Sequence, residues 1–152
     1  MPDLDSLDHD RYVARTLELA RDAGERGDGP YGSLLVRDGT VIAEATNRVR
    51  SDDDLALHPE LTLARRAANE YSVSERSETV MYTSTEPCPM CATGIAFAQL
   101  GGVVYATQST LGSTDGDDGL PCAEVFDRLG RDVPVVGPIR EAEGVAVRRE
   151  FE

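Results

Sequence analysis

At 152 residues the chain is long enough for one domain with a sizeable core, residues 1–152, and it contains no apolar run near the roughly 18–20 residues of a membrane span. Asp and Glu total 28 against 15 basic residues, every one of them arginine, so the net charge is −13 and no basic stripe is present to bind nucleic-acid phosphates. The acidic N-terminus does not resemble a signal peptide, which predicts a cytoplasmic protein. The acidic composition of the whole chain favours a halophilic source over an acidic surface that binds a partner.

Hydrophobic spacing divides the chain into alternating helices and strands. Apolar residues recur every three to four positions in the helical segments, whereas the strands are short β-rich runs bounded by Gly, Pro or polar loops. Asp38-Gly39 is typical of a tight hairpin turn, and Gly101-Gly102 is a helix stop. The last 14 residues show no clear pattern. The predicted elements, in chain order, are helix 8–26, strand 31–37, strand 40–47, polar loop 48–57, helix 59–73, strand 79–85, helix 89–100, strand 102–107, helix 121–130 and a short strand within 133–137.

This order of elements predicts an α/β layer fold. The hairpin supplies an antiparallel pair of strands, and the later strands, each joined through a helix, are expected to run parallel with right-handed crossovers. Neither an internal repeat nor a linker interrupts the chain, which agrees with a single domain.

Three cysteines provide the first candidates for chemistry. Cys88-Pro-Met-Cys91, at the start of the predicted helix 89–100, is compatible with a zinc half-site, a redox dithiol or structural burial. The odd cysteine count in a chain without a signal peptide argues against a disulfide framework. For Cys122 we favour burial beside the pocket over a role as pocket thiol or fourth metal ligand, since a fourth protein ligand would close the site.

His58 and Glu60 complete a pattern with the cysteine pair. A histidine alone is a weak signal, but two thiolates and one imidazole suit zinc, and three protein ligands leave one coordination position open, as in catalytic sites. Glu60, two residues after His58, can reach water at such a metal without ligating it. The order H-x-E and then P-C-x-x-C matches the signature of zinc deaminases.

With these residues the chain resembles the cytidine-deaminase-like zinc deaminase superfamily, and within it the guanine, cytosine and tRNA-adenosine deaminase branch. The resemblance covers about residues 8–107 and is carried by GPYGSLLV, AEATNRV, HPE, YTSTEPCPMCATGIAFA and GGVVYAT. It implies a three-layer α/β/α fold with a central mixed five-stranded sheet, one Zn²⁺ per chain and a homodimer.

The resemblance also implies roles for the residues of the motif. His58, Cys88 and Cys91 are expected to ligate zinc, and Glu60 is expected to shuttle protons between water, the ring nitrogen and the leaving amine. One carboxylate then acts first as base and later as acid, so it should be dry and close to the metal.

Three further residues match positions that contact substrate in the family. Asn47 corresponds to an asparagine that contacts the base or sugar, with a strand-end turn as the alternative. Tyr31 falls at the pocket wall or in the ordinary core. Glu86 lies near the substrate's polar edge or is a surface glutamate at a helix entry.

Prolines predict where the two helices of the motif begin. The residue before a proline is pushed out of the helical region, and proline is favoured at the first helical position. We therefore expect His58 and Cys88 at N-caps, Pro59 and Pro89 at the first helical positions, and Pro87 just ahead of the second helix. Two helix N-termini would then converge on one zinc, their positive ends stabilising the anionic groups.

The implied activity is hydrolytic deamination of an amino-substituted nucleobase, as in purine salvage. A guanine-like purine is favoured, ahead of cytosine, a nucleoside and adenosine in tRNA. Acidic residues 52–54 interrupt the arginines near the motif, which weighs against tRNA, and the segment after residue 107 departs from the guanine deaminase C-terminus. A redox dithiol protein and a non-catalytic zinc-binding module are the alternatives outside this class.

The acidic run at 115–119, DGDDG, resembles a calcium-binding loop. The twelfth position of that loop would hold a bidentate glutamate, but Phe126 stands there. We interpret the run as a solvated loop.

Overall fold

The computed structural model describes residues 2–109 and 120–152. A short 3₁₀ helix, Leu4–Ser6, precedes the first α-helix. The elements that follow are α1 His9–Arg26, β1 Gly32–Arg37, β2 Thr40–Thr46, α2 Pro59–Glu70, α3 Val73–Ser77, β3 Thr79–Thr85, α4 Pro89–Ala98, β4 Gly102–Thr107, α5 Cys122–Arg128, β5 Val135–Val136 and α6 Glu141–Glu150.

The strands form one mixed sheet in the order β2-β1-β3-β4-β5. Strand β1 pairs antiparallel with both β2 and β3, whereas β4 runs parallel to β3 and β5. The turn between β1 and β2 places Asp38 and Gly39 at φ 53° and 72°, the left-handed values that a tight hairpin requires. The predicted hairpin, parallel strands and mixed five-stranded sheet are therefore confirmed.

Side chains of successive strand residues point to opposite sides of the sheet, so the sheet has two apolar faces, and each is covered by helices. Val80 and Tyr82 of β3 point into a cluster with α1 and α6, and Met81 between them points into a cluster with α2, α4 and α5. This is the three-layer α/β/α arrangement that the resemblance implied. Within residues 2–109 and 120–152, no helix is both long and apolar enough to cross a membrane.

Helix boundaries differ from the sequence expectations in several places. The helix predicted over 59–73 ends at Glu70, because Ser72 and Glu75 form a capping box that starts the separate helix α3. Helix α4 ends at Ala98 rather than at residue 100, because Gln99, with φ 61°, takes the left-handed position before the glycine pair is reached. Helix α5 spans Cys122–Arg128 rather than 121–130. The C-terminal segment without a clear pattern contains α6.

A buried carboxylate anchors the loop that leads to the motif. Asp28 accepts hydrogen bonds from the backbone N–H groups of Arg50 (3.1 Å) and Ser51 (2.8 Å), and from the Ser51 hydroxyl (2.6 Å). It also pairs with Nε of Arg26 at 2.7 Å, and the same guanidinium donates to the carbonyl of Asn47 at 2.7 Å. The Ser51 hydroxyl, helped by Arg26, holds the pKa of Asp28 well below its usual range although burial opposes this.

We predict that Asp28→Asn lowers the melting temperature at pH 7, because an amide cannot accept all of these donors. The folded-state pKa of Asp28 is depressed, so its stabilising contribution is present above the unfolded pKa of about 3.9 and is lost as the pH falls below it. Thermal unfolding should therefore show that the difference in melting temperature between wild type and variant becomes smaller from pH 7 to pH 3.

The matched control is Asp22→Asn, since Asp22 is an exposed aspartate on α1. Its melting temperature should follow that of the wild type at both pH values. An equal gap for Asp28→Asn at pH 7 and pH 3 would contradict the role of the ionised carboxylate.

Candidate metal centre and active site

Two helices begin side by side at the site. His58 is the N-cap of α2 with Pro59 next, and Cys88 is the N-cap of α4 with Pro89 next. Both cap residues have extended backbone, as their prolines demand, and neither side chain caps its own helix. The predicted helix starts are confirmed, and both cap side chains are available to bind something else.

A glycine allows the two helices to approach closely. A Cβ atom added to Gly94 of α4 would lie 2.6 Å from Cδ1 of Leu61 on α2, far inside van der Waals contact. The small residue on α4 therefore leaves room for the Leu61 side chain where the two helices pack.

His58, Cys88 and Cys91 form a group whose ligand atoms all lie within 4.8 Å of one another. Nδ1 of His58 is 3.7 Å from Sγ of Cys88 and 3.5 Å from Sγ of Cys91. A tetrahedral zinc with bonds of about 2.3 Å to sulfur and about 2.1 Å to nitrogen would separate the two ligand atoms by about 3.6 Å. Both the soft ligand set and its spacing therefore fit zinc.

Of the two thiols, Cys88 is the one polarised for metal binding. The Cys91 thiol, and then the His58 ring, hydrogen-bond to Cys88 and lower the pKa of Cys88 to about 4, against the opposing effect of burial. The hydrogen bond to Cys88 and burial raise the pKa of Cys91, and the hydrogen bond to Cys88 raises the pKa of His58. These contacts favour the thiolate form of Cys88, the form that ligates metals.

Glu60 lies in the first turn of α2 and is buried, with 6% exposure. Its Oε1 accepts hydrogen bonds from the hydroxyls of Ser33 on β1 (3.1 Å) and Thr83 on β3 (3.2 Å), which are 2.8 Å from each other. Burial raises the pKa of Glu60, as expected for a carboxyl that exchanges protons near neutral pH. Sequence reasoning missed Ser33 and Thr83, although polar residues within apolar strands were the available signal.

A cavity of about 280 Å³ opens beside the metal-ligand group. It brings together most of the residues singled out from the sequence, while Cys91 is fully buried and does not line it. Three lining residues were missed: Thr85, Ser109 and Arg148. The cavity is lined by Tyr31, Asn47, His58, Pro59, Glu60, Thr85, Glu86, Cys88, Ser109 and Arg148.

Asn47 forms the strand-end turn and also lines the cavity. Its amide oxygen accepts a hydrogen bond from the backbone N–H of Val49 at 3.0 Å, which is the strand-end turn, and its backbone N–H donates to the carbonyl of Tyr31 at 3.0 Å. Asn47 and the half-buried Tyr31 both line the cavity. With the amide oxygen used in the turn, the amide N–H groups are those with which Asn47 can contact a ligand.

Glu86 is buried, with 8% exposure, and so is not a surface residue. Its carboxylate accepts hydrogen bonds from the backbone N–H groups of Cys122 (3.0 Å) and Ser109 (3.4 Å). Cys122 is itself buried in the core cluster below the sheet, as we expected, and burial raises its pKa to about 12. It is not part of the metal-ligand group. The acidic run 115–119 lies outside the described residues.

Sequence comparison relates the chain to known deaminases. The MafB19-like deaminase family matches residues 7–120. The chain is 34% identical over 113 residues to a guanine deaminase of Bacillus subtilis, covering 74% of this chain and 72% of the relative. It is 37% identical over 101 residues to a tRNA-specific adenosine deaminase of Agrobacterium fabrum, covering 66% of each protein.

Structure comparison gives the same result. A structure from studies of A-to-I editing by tRNA deaminases at the wobble position superposes with a TM-score of 0.74 at 28% identity, covering 90% of this chain and 98% of that one. The protein NE0047 in complex with 2,6-diaminopurine gives a TM-score of 0.78 at 26% identity, covering 92% and 79%. An NE0047 variant in complex with 8-azaguanine gives 0.81 at 25% identity, covering 95% and 84%.

We predict one zinc ion per chain when the purified protein is analysed by inductively coupled plasma mass spectrometry. Cys91→Ala should lose the metal, because two remaining ligands cannot hold zinc against a chelator. Cys122→Ala removes a thiol outside the group and should retain it. Absence of zinc from the wild type, together with a reversible 88–91 disulfide, would instead favour the redox dithiol.

Proposed function

The chain belongs to the MafB19-like deaminase family, and on that basis we propose that it is a zinc-dependent hydrolytic deaminase of a free nucleobase, with a guanine-like purine favoured. The observation that carries this proposal is a buried carboxylate, Glu60, beside the His58, Cys88 and Cys91 group at one small cavity. A zinc-holding protein without catalysis would have no use for a dry carboxylate at this position.

The proposed reaction exchanges an amino group for a carbonyl oxygen. Water adds to the ring carbon that bears the amine, the bond from this carbon to the exocyclic nitrogen breaks, and ammonia leaves as the carbonyl forms. When bound by His58, Cys88 and Cys91, zinc supplies the Lewis acidity that makes water a nucleophile near neutral pH.

Glu60 carries the protons in this scheme. It takes one proton from the attacking water and delivers it to the ring nitrogen, and it later moves the remaining proton of the added hydroxyl to the departing amine as the carbonyl forms. We assign these transfers to Oε2, since Oε1 is occupied by the hydroxyls of Ser33 and Thr83. These two hydroxyls, fixed on neighbouring strands, hold the carboxylate in one orientation and so position Oε2 for the reaction.

Cavity size supports a free base. A volume of about 280 Å³ lies just below the range of roughly 300–1,000 Å³ for small-molecule sites, which favours a small ligand. A guanine deaminase is among the relatives, and NE0047 binds 8-azaguanine and 2,6-diaminopurine, both purine-like rings with an amino group.

A tRNA substrate is the second candidate, since one relative is a tRNA-specific adenosine deaminase. Two arginines near the motif are already neutralised: Arg48 pairs with Asp52 at 3.0 Å and Arg66 pairs with Glu70 at 3.1 Å. With a net charge of −13, the chain offers little to attract a phosphate backbone. Cytosine and nucleosides are lower-ranked alternatives, and the homodimer, the halophilic source and the cytoplasmic location stay predictions.

We predict that Glu60→Gln retains zinc and loses about 10²- to 10⁴-fold in kcat, the range for removing a general acid–base group. Glu70→Gln, at the exposed far end of the same helix, should keep wild-type turnover. Steady-state ammonia release and metal content, measured on the same preparations, check both. A Glu60→Gln variant with wild-type kcat would remove the proposed proton shuttle.

We predict ammonia release from guanine when the wild type is assayed in high salt against guanine, cytosine, adenine, their nucleosides and tRNA. The expected order of kcat/KM places guanine first. Turnover of tRNA alone would replace the free base by the second candidate, and no turnover of any compound would favour the non-catalytic module.

A further inference from the structure

Arg148 is a buried cation at the cavity that the scheme above does not use. It lies in the last turn of α6, the helix that the sequence did not predict, and it is only 7% exposed. Its side chain lines the same cavity as Glu60 and the metal-ligand group. Arg149, the next residue, is exposed to solvent.

The guanidinium is only partly satisfied by the protein. Its Nη1 donates to the carbonyl of Gln108 at 3.1 Å and its Nη2 donates to the carbonyl of Ser109 at 3.4 Å. An arginine side chain carries five N–H donors, so these contacts use two of them. Among residues 2–109 and 120–152, Arg148 forms no ion pair with a carboxylate.

The acid that shares the cavity wall is engaged elsewhere. Glu86 accepts the backbone N–H of Ser109, whose carbonyl in turn accepts from Arg148. The other carboxylate oxygen of Glu86 accepts the N–H of Cys122. Glu86 thus faces backbone donors rather than the guanidinium, and Ser109 lies between the two charged groups.

A buried charge without a counter-ion is costly unless its donors find acceptors. Among the described residues only the Gln108 and Ser109 carbonyls accept from Arg148, so its remaining N–H groups are available to an acceptor that enters the cavity, such as the substrate.

We propose that Arg148 binds the exocyclic carbonyl oxygen of the substrate ring and thereby selects an oxo-purine over an amino-purine. This inference rests on the proposed function. A carbonyl oxygen accepts hydrogen bonds from the guanidinium, whereas an amino group at the same ring position presents donors to donors. A cavity of about 280 Å³ favours the carbonyl of the base over the phosphate of a nucleotide as the acceptor.

The test compares two substrates within one variant. Guanine and 2,6-diaminopurine share the ring and the 2-amino group, and they differ in whether position 6 bears oxygen or an amine. Arg148→Met keeps an unbranched apolar stem and removes the guanidinium with its donors. The matched control, Arg149→Met, makes the same change on the exposed neighbour.

We expect Arg148→Met to lower kcat/KM for guanine about tenfold or more, mainly through a higher KM, since the carbonyl is bound before and during the reaction. For 2,6-diaminopurine the change should be less than about threefold, so the preference for guanine collapses. Arg149→Met should retain the wild-type ratio.

Other outcomes overturn the inference. Equal losses on both substrates would make Arg148 only a clamp on the Gln108 and Ser109 carbonyls. If Arg148→Met lowered kcat/KM for guanosine monophosphate but not for guanine, the ligand of Arg148 would be a phosphate. Failure of the proposed function is distinct, because the wild type itself would then release no ammonia from either base.

A second variant covers the case in which Arg148→Met does not fold, judged by circular dichroism and zinc content. Arg148→Lys keeps the charge but loses the planar fork. It should retain part of the preference for guanine over 2,6-diaminopurine, and an unchanged wild-type ratio would contradict carbonyl recognition by the guanidinium.

Discussion

The close approach of two helix N-termini is the constraint on which the rest of this site depends. Because α2 and α4 begin beside each other, the imidazole of His58 comes within 3.5 Å of one cysteine sulfur and 3.7 Å of the other. Proline fixes the start of each helix, and Gly94 permits their contact. If either helix started one residue later, a ligand would rotate by about 100° out of the group.

Two opposing effects act on the negative groups at the helix N-termini. The N-terminal ends of both helices carry partial positive charge, which favours the Cys88 thiolate and the Glu60 carboxylate in the first turns. Burial works in the opposite direction and raises the pKa of Glu60. The hydroxyls of Ser33 and Thr83 satisfy one carboxylate oxygen without neutralising it, so the group stays buried, oriented and able to exchange a proton.

The residues that line the cavity come from segments that are remote in sequence. Tyr31 and Asn47 flank the first hairpin, Glu86 follows β3, and Arg148 belongs to the last helix, yet all four line one cavity. The network of Asp28 fixes the loop after Asn47. The motif of candidate metal ligands is thus local and compact, whereas the other residues of the cavity wall are supplied by distant parts of the chain. This division agrees with relatives that act on different substrates.

The sequence by itself determined the ligand motif, the helix starts and the sheet, because proline geometry, strand alternation and the hairpin dipeptide act over a few residues. It predicted His58, Glu60, Cys88 and Cys91 as one group, and the structure brings them together. Only the tertiary structure decided that Ser33 and Thr83 hold Glu60, that Glu86 binds the backbone, and that Arg148 reaches the cavity. Those contacts join residues far apart in the chain, and neither periodicity nor spacing records which distant side chains packing will bring into hydrogen-bond distance.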